Sequence, residues 1–194
     1  MSLFETYLTL GFQHIADLDA YDHLVFIVVL CAIYEIHQWR HILVLVTAFT
    51  IGHSITLALA TLGWVIVPTD IVEFLIPLTI LLTALFNIFE HAENFTRPKM
   101  RRNYFIALFF GLIHGMGFSN YLRALLGEEE GIAAPLFAFN VGLELGQLMI
   151  VACIFAVAYV VLNIFKAQHR EWNLFVSGAA AGISLILMRQ AVFW

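Results

Sequence analysis

Histidine and carboxylate side chains interrupt several apolar stretches of this sequence, where ionisable groups are expensive to place. Each costs about 2.5–3.5 kcal/mol at the centre of a bilayer, so such residues are retained where they line a cavity, pair with each other or bind an ion. Imidazole and carboxylate together suit borderline divalent metals such as Ni²⁺, Zn²⁺, Co²⁺ or Fe²⁺. We therefore predict a divalent transition-metal site, of open metal identity, built from His14, Asp22, His23, His53, His114 and Glu144.

A second group of polar residues accompanies these candidates. Asn140, Glu144 and Gln147 stand at i, i+4 and i+7, so they share one face of a helix. Amide side chains are better suited to orienting metal ligands through hydrogen bonds than to binding the metal themselves. We expect a supporting or pathway role for Glu73, Asn87, Asn140, Gln147 and Ser54. The plainer alternative is that these residues only make interhelical hydrogen bonds.

The elements that position these residues are predicted to be membrane helices. The sequence is 62% hydrophobic and only 12% charged, whereas a soluble domain has about 25% charged residues. A net charge of −5 gives no basic face for nucleic acid, and two cysteines build no disulfide framework. Because about 20 apolar residues cross a bilayer, the sequence predicts six spans: Asp22–His37, Ile42–Leu62, Ile71–Phe89, Tyr104–Phe118, Leu136–Phe165 and Asn173–Phe193.

The expected fold is an all-α, polytopic helical bundle in one domain, residues 1–194. Residues Ser2–Asp19 are too polar to span, but their loose apolar stripe predicts an interfacial or re-entrant helix. Most lysines and arginines follow the first, third and fifth spans, which predicts that both termini lie outside. Counting 1.5 Å per residue then places the metal candidates in the outer half of the bilayer. We expect a multi-pass protein of the cell (inner) membrane.

Five strings of this sequence occur in the order of the signatures of one family. They are GFQHIADLDAYDHLVF, FTIGHSITLALATLG, VEFLIPLTI, FGLIHGMGFS and FNVGLELGQL, within about Gly11 to Val151. This part of the chain resembles the HupE/UreJ membrane proteins, in the branch with an Asp-His pair opening the first span. Those proteins are associated with hydrogenase or urease maturation and are regarded as nickel or cobalt permeases. The resemblance implies metal uptake and carries over His14, Asp22, His23, His53, Glu73, His114, Asn140, Glu144 and Gln147.

Three functions remain open at this stage, with metal transport favoured through the family likeness. In a transporter, an acidic outer vestibule gathers cations, histidines strip part of their hydration shell, and Glu144 or Glu73 exchanges protons. In a metal-dependent membrane hydrolase, the metal activates water and Glu144 or Asp22 acts as the general base. A metal-stabilised scaffold is the third. The expected partners are the bilayer and a metal ion, without nucleic acid, and a homo-oligomer is compatible with such short helices.

Overall fold

The computed structural model describes residues 2–17, 21–90, 97–126 and 131–192. Within these ranges the chain forms eight α-helices: α1 (Leu3–Ala16), α2 (Asp22–Ala32), α3 (Trp39–Thr61), α4 (Thr69–Phe89), α5 (Arg97–Gly117), α6 (Ser119–Leu126), α7 (Ala133–Tyr159) and α8 (His169–Gln190). A 3-10 turn, Ile36–Gln38, precedes α3, and a π-helical turn, Val160–Ile164, extends α7. The described part of the chain contains no strand, which confirms the all-α prediction.

Four helical stretches of the described chain are long and apolar enough to cross a bilayer. They are Ile36–Thr61, Thr69–Phe89, Ala133–Ile164 and His169–Gln190. α5 and α6 are bent by 49° at their junction and supply a fifth stretch if they are taken together. α2 has 11 residues and covers only about 16 Å, roughly half of the hydrocarbon layer. The described chain is therefore a helical bundle of the kind found in membranes. The number of six spans and the outside position of both termini stay predictions.

If the π-helical turn is counted with α7, the end of α2 and the start of α5 are displaced furthest from their predicted positions. α2 ends at Ala32, before the predicted His37, because Glu35 starts a separate 3-10 turn and donates its backbone N–H to Gln38 Oε1 at 3.0 Å. α5 begins at Arg97 and so includes a polar stretch before the predicted start at Tyr104. Arginine and lysine are good helix formers even where they are not apolar, so apolar periodicity alone misses this first part of α5.

Glycines bring α1 into close contact with α7. A Cβ at Gly11 would overlap the carbonyl oxygen of Phe139, and a Cβ at Gly142 would overlap that of Leu8. Small residues allow helix backbones to approach in this way. The N-terminal helix, predicted as an interfacial or re-entrant piece, therefore packs along the first half of α7.

The pair α3 and α5 repeats the same reciprocal arrangement. A Cβ at Gly52 would overlap the Leu108 carbonyl oxygen, and one at Gly111 would overlap that of Phe49. In both helix pairs each glycine lies over the carbonyl three residues before the partner's glycine. α4 pairs in turn with α8, and α2 contacts α4, α7 and α8. The short α2 is thereby held among the longer helices.

Candidate metal site

Three histidines from three helices meet inside the bundle. His14 lies in the last turn of α1, His23 is the second residue of α2, and His53 lies in the second half of α3. One ligand nitrogen of each lies within 4.8 Å of the other two. The structure thus brings together three of the six predicted metal-binding residues. We call His14, His23 and His53 the three-histidine cluster.

Close helix packing fixes the cluster in place. A Cβ at Gly115 would overlap the carbonyl oxygen of His53, so α5 presses on α3 at the level of this histidine. The ring centroids of His14 and His23 are 4.8 Å apart, and the Phe118 ring covers His14 at 4.1 Å. Phe118 lies at the junction between α5 and α6. The bend between these helices therefore supplies one wall of the cluster.

Asp22 orients His23 and lies beside the cluster. Its Oδ1 is 3.0 Å from His23 Nδ1 and also accepts the backbone N–H of His23 at 2.8 Å. A carboxylate on Nδ1 makes that nitrogen the proton donor and leaves the Nε2 lone pair for a ligand. Metal-bound histidines are commonly held by such a carboxylate, which raises their basicity. The predicted ligand Asp22 is thus placed as the partner of His23.

His114 lies behind His23 and is held by α4. The two ring centroids are 5.1 Å apart, and His114 Nε2 is 2.9 Å from Thr79 Oγ1. The Thr79 hydroxyl donates its single proton to the Ile76 carbonyl at 2.7 Å, so His114 Nε2 serves as the donor to Thr79. The Nδ1 lone pair of His114 is then free. His114 is a fourth imidazole next to the cluster, outside the group of three that meets within 4.8 Å.

Nitrogens of all four imidazoles are buried and lack a hydrogen-bond partner among the described residues. They are His14 Nε2, His23 Nε2, His53 Nδ1 and Nε2, and His114 Nδ1. A buried polar atom without a partner costs about 1–3 kcal/mol, and native proteins rarely leave such atoms unexplained. His53, with no exposed surface, has neither ring nitrogen satisfied. A metal ion accepts lone pairs from several of these nitrogens at once, so the donor set fits a dication.

A cavity of about 890 Å³ reaches the cluster from the end of the bundle where α4 begins and α5 ends. We call it the vestibule. His14, His23 and His114 line it, whereas His53 lies behind them. Its other polar lining includes Gln13, Asp17, Asp22, Glu73 and Tyr121. Three carboxylates in its lining give the vestibule a negative potential, which concentrates cations in front of the histidines.

Glu144, predicted among the metal ligands, lies elsewhere. Its Oε1 accepts a hydrogen bond from the Thr47 hydroxyl at 2.7 Å, between α7 and α3. Gln147, one turn on, accepts from the Thr50 hydroxyl at 2.6 Å. Glu144 neither lines the vestibule nor belongs to the group of three. Within the described chain, Glu144 and Gln147 of the shared helical face therefore pair with threonines of α3, and the three histidine nitrogens meet without a Glu144 oxygen.

The remaining predicted residues occupy several different places in the bundle. Glu73 is exposed and lines the vestibule. Asn140 has a buried Oδ1 without a partner among the described residues. Ser54 bonds back to the Thr50 carbonyl at 2.6 Å. Asn87 donates to the Val29 carbonyl at 2.6 Å near the far end of α4.

A second cavity, of about 240 Å³, lies between α2, α3, α4 and α5 on that far side. Its polar lining is Tyr34, Thr83, Asn87 and Asn103. Phe26 and Phe110 line it from the side of the histidines, and the Phe26 ring centroid is 5.1 Å from that of His114. The two cavities share no lining residue. Aromatic rings therefore separate the vestibule from the second cavity.

The sequence gives almost no signal for two residues that contact the histidines. Thr79 holds His114 across a helix interface, and the Phe118 ring packs against His14 at a helix junction. Both contacts join elements distant in the chain. Thr79 follows Pro77 by two positions, in a turn where proline removes a backbone hydrogen bond, and that proline is the only local hint.

The whole chain, residues 1–194, matches the protein family described as HupE / UreJ protein. The chain belongs to the HupE/UreJ family. This confirms the resemblance and extends it beyond Val151 to the last residue. No curated protein and no solved structure matches the chain. The HupE/UreJ family is associated with nickel and cobalt transport, and this member carries a histidine cluster able to hold such an ion.

Proposed function

We propose that this HupE/UreJ protein carries a divalent transition metal, of the nickel or cobalt type, across the cell (inner) membrane as a multi-pass transporter. One observation carries the proposal. Buried imidazole nitrogens that have no hydrogen-bond partner among the described residues converge from three helices beside an acidic vestibule. Histidines with only a structural role normally have a hydrogen-bond partner for each buried nitrogen. The metal is the cargo, and its identity within the series stays open.

The first step is capture. The hydrated dication enters the vestibule, where the carboxylates of Asp17 and Glu73 make the electrostatic potential negative. Its water ligands are then exchanged for the ring nitrogens of His14, His23 and His53. Around a tetrahedral ion, nitrogens bound at about 2.0–2.1 Å lie closer together than the 4.8 Å limit seen here. Binding therefore draws the three rings inward, and the Asp22 carboxylate stabilises the charge that His23 shares with the metal.

Release requires a path past the aromatic rings. Phe26 and Phe49 stack at 4.8 Å below the histidines, and the second cavity beyond Phe26 offers amide and hydroxyl oxygens. Neutral oxygens bind a nickel-type ion more weakly than imidazoles do. A second site that binds the metal more weakly than the first favours release of the ion. The predicted orientation places the vestibule outside, so transport runs inward.

Metal uptake by reconstituted vesicles tests the proposal. His53→Ala removes the most deeply buried ligand, and we expect uptake to fall at least about tenfold, since even the loss of a residue that only orients a ligand costs 10–100-fold. His37→Ala is the matched control, because His37 is exposed and pairs with Glu35 at 3.0 Å. Equal uptake by the wild type and His53→Ala, both correctly folded, contradicts the proposal.

A metal-dependent hydrolase is the second candidate, favoured by the size of the vestibule. At about 890 Å³, it falls within the 300–1,000 Å³ range of sites for organic ligands. Asp22, beside His23, is then the nearest candidate base, whereas Glu144 has no position at the cluster. Vesicles that bind metal and cleave a lipid without moving the metal favour the hydrolase. Bound metal that raises thermal stability without flux or turnover favours the scaffold.

A further inference from the structure

The vestibule is much larger than the hydrated ion that it is proposed to admit. A dication with about six water ligands occupies roughly 180 Å³, at about 30 Å³ for each water molecule. The vestibule measures about 890 Å³, and sites for small organic ligands measure about 300–1,000 Å³. The space in front of the histidines therefore fits an organic molecule together with the metal.

Two smaller cavities adjoin the vestibule and share lining residues with it. One, of about 410 Å³, lies between α1 and α6 and shares Leu10, Gln13 and Tyr121 with the vestibule. The other, of about 270 Å³, lies between α2, α4 and α8 and shares Asp22 and Glu73. The open space is therefore branched, a shape that suits a molecule with several arms better than a spherical hydrated ion.

The charge of the lining selects among metal complexes. Asp17, Asp22 and Glu73 contribute carboxylates, whereas none of the described lining residues is a lysine or an arginine. Arg123, on α6, donates instead to the Ala60 carbonyl near the end of α3. Because like charges that face each other across a site are strongly unfavourable, the vestibule disfavours anionic metal complexes and accepts neutral or cationic ones.

Aromatic rings form another part of the same lining. Phe12, Phe118 and Tyr121 line the vestibule, and the ring centroids of Phe118 and Tyr121 are 5.0 Å apart. Tyr121 is exposed. Aromatic faces attract cations and pack against the carbon atoms of an organic ligand. Carboxylates beside aromatic rings therefore suit a metal complex whose ligands carry C–H and N–H groups.

The organic part of such a complex has no open route beyond the histidines. The second cavity measures only about 240 Å³, and aromatic rings such as Phe26 lie between it and the vestibule. His14, His23 and His53 offer nitrogens that lack hydrogen-bond partners among the described residues. The metal is therefore able to pass from a chelator to these nitrogens while the chelator stays in the vestibule.

We propose that the vestibule binds the metal, besides as the hydrated ion, as a neutral or cationic complex with a small amine-bearing chelator, from which the three-histidine cluster takes the metal. Bonds between the metal and the chelator break as bonds to the histidine nitrogens form. Each donor atom of the chelator keeps its own electron pair, and a released amine takes up a proton from water. The chelator then leaves through the vestibule. This inference rests on the proposed metal transport and names the chemical form of its cargo.

Exchange-inert cobalt(III) complexes test the binding site without any transfer of metal. Tris(ethylenediamine)cobalt(III) is a cation and tris(oxalato)cobaltate(III) is an anion of similar size, and neither releases its ligands during the measurement. We expect the wild type to bind the cation at least about tenfold more tightly than the anion, and Glu73→Gln to weaken this preference. Asp70→Asn is the matched control, because Asp70 is exposed but does not line the vestibule. Equal binding of the two complexes, or binding of neither, overturns the inference.

Nickel uptake by vesicles at one fixed concentration of free Ni²⁺ tests the use of the complex. Diethylenetriamine, whose nickel complex is cationic, and nitrilotriacetate, whose nickel complex is anionic, buffer the free ion to the same value. We expect several-fold faster uptake from the amine buffer, with the labelled amine remaining outside the vesicles. Equal uptake from the two buffers, or entry of the amine with the nickel, overturns the inference and leaves metal transport standing. Uptake from neither buffer contradicts the transport proposal, whereas binding of the inert cation still supports the vestibule as a site for such complexes.

Discussion

In the proposed metal site, the pairing of Asp22 with His23 is the residue-scale feature on which we expect metal affinity to depend most. Asp22→Asn keeps the size of the side chain but removes the charge that holds His23 Nδ1 as a donor. We expect metal affinity to fall 10–100-fold, the usual effect of losing such a partner. Titration of Ni²⁺ into purified protein measures it. Asp70→Asn, an exposed carboxylate in the first turn of α4, serves as the control, and an equal loss there contradicts the assignment.

Thr79 supports a buried imidazole in a similar way. Thr79→Val removes the oxygen that accepts from His114 Nε2 and leaves a buried N–H unbonded. Such a loss costs about 1–3 kcal/mol of stability, and thermal unfolding in detergent measures it. Thr83→Val is the matched control, because the Thr83 hydroxyl bonds back to the Thr79 carbonyl of its own helix. Equal destabilisation by the two variants argues against the role of Thr79.

At the scale of residues, the sequence predicts which side chains are candidate metal donors but not which of them lie together. Burying histidines in apolar stretches is costly wherever they stand, so His14, His23 and His53 are recognisable from cost alone. Glu144 carries the same cost, yet its partner is Thr47 on another helix. Helical phase says which residues share a face and leaves open which helix that face meets. The separate position of Glu144 is therefore visible only in three dimensions.

Glycine contacts between helices are the element-scale feature that holds the cluster. Gly111→Ala places a methyl group against the Phe49 carbonyl and drives α5 from α3. Because His53 lies one turn beyond Phe49, we expect both thermal stability and metal affinity to fall, by at least tenfold for affinity. Gly178→Ala is the control, since a Cβ there meets no atom within 4 Å, and it is neutral or slightly stabilising. Metal affinity that Gly111→Ala leaves unchanged contradicts this account.

Helix existence is easier to predict than helix ends in this chain. Apolar length locates α3, α4, α7 and α8, because lipid demands about 20 apolar residues per crossing. The end of α2 depends on a side-chain cap by Gln38, and the bend between α5 and α6 depends on tertiary packing around Phe118. Neither leaves an apolar pattern. The reciprocal glycines are visible in the sequence, but their partner helices are not.

At the scale of the whole molecule, the proposed transport uses the two cavities as a pathway that is closed by aromatic rings. Phe110 lines the second cavity and meets Phe26 at 6.3 Å. Phe110→Ala widens this constriction, and we expect vesicles to leak Ni²⁺ several-fold faster than with the wild type. Phe105→Ala, on the exposed face of α5, leaves the leak unchanged. If the Ni²⁺ leak is unchanged in Phe110→Ala, the pathway lies elsewhere.

The central claim is that one metal ion joins helices α1, α2 and α3 through their histidines. Anomalous diffraction from crystals grown with Ni²⁺ or Co²⁺ tests it most directly. The account predicts a single strong peak in the bundle, about 2.0–2.2 Å from one nitrogen each of His14, His23 and His53. A peak bound by other residues, or a fully loaded crystal without density between these three rings, contradicts it.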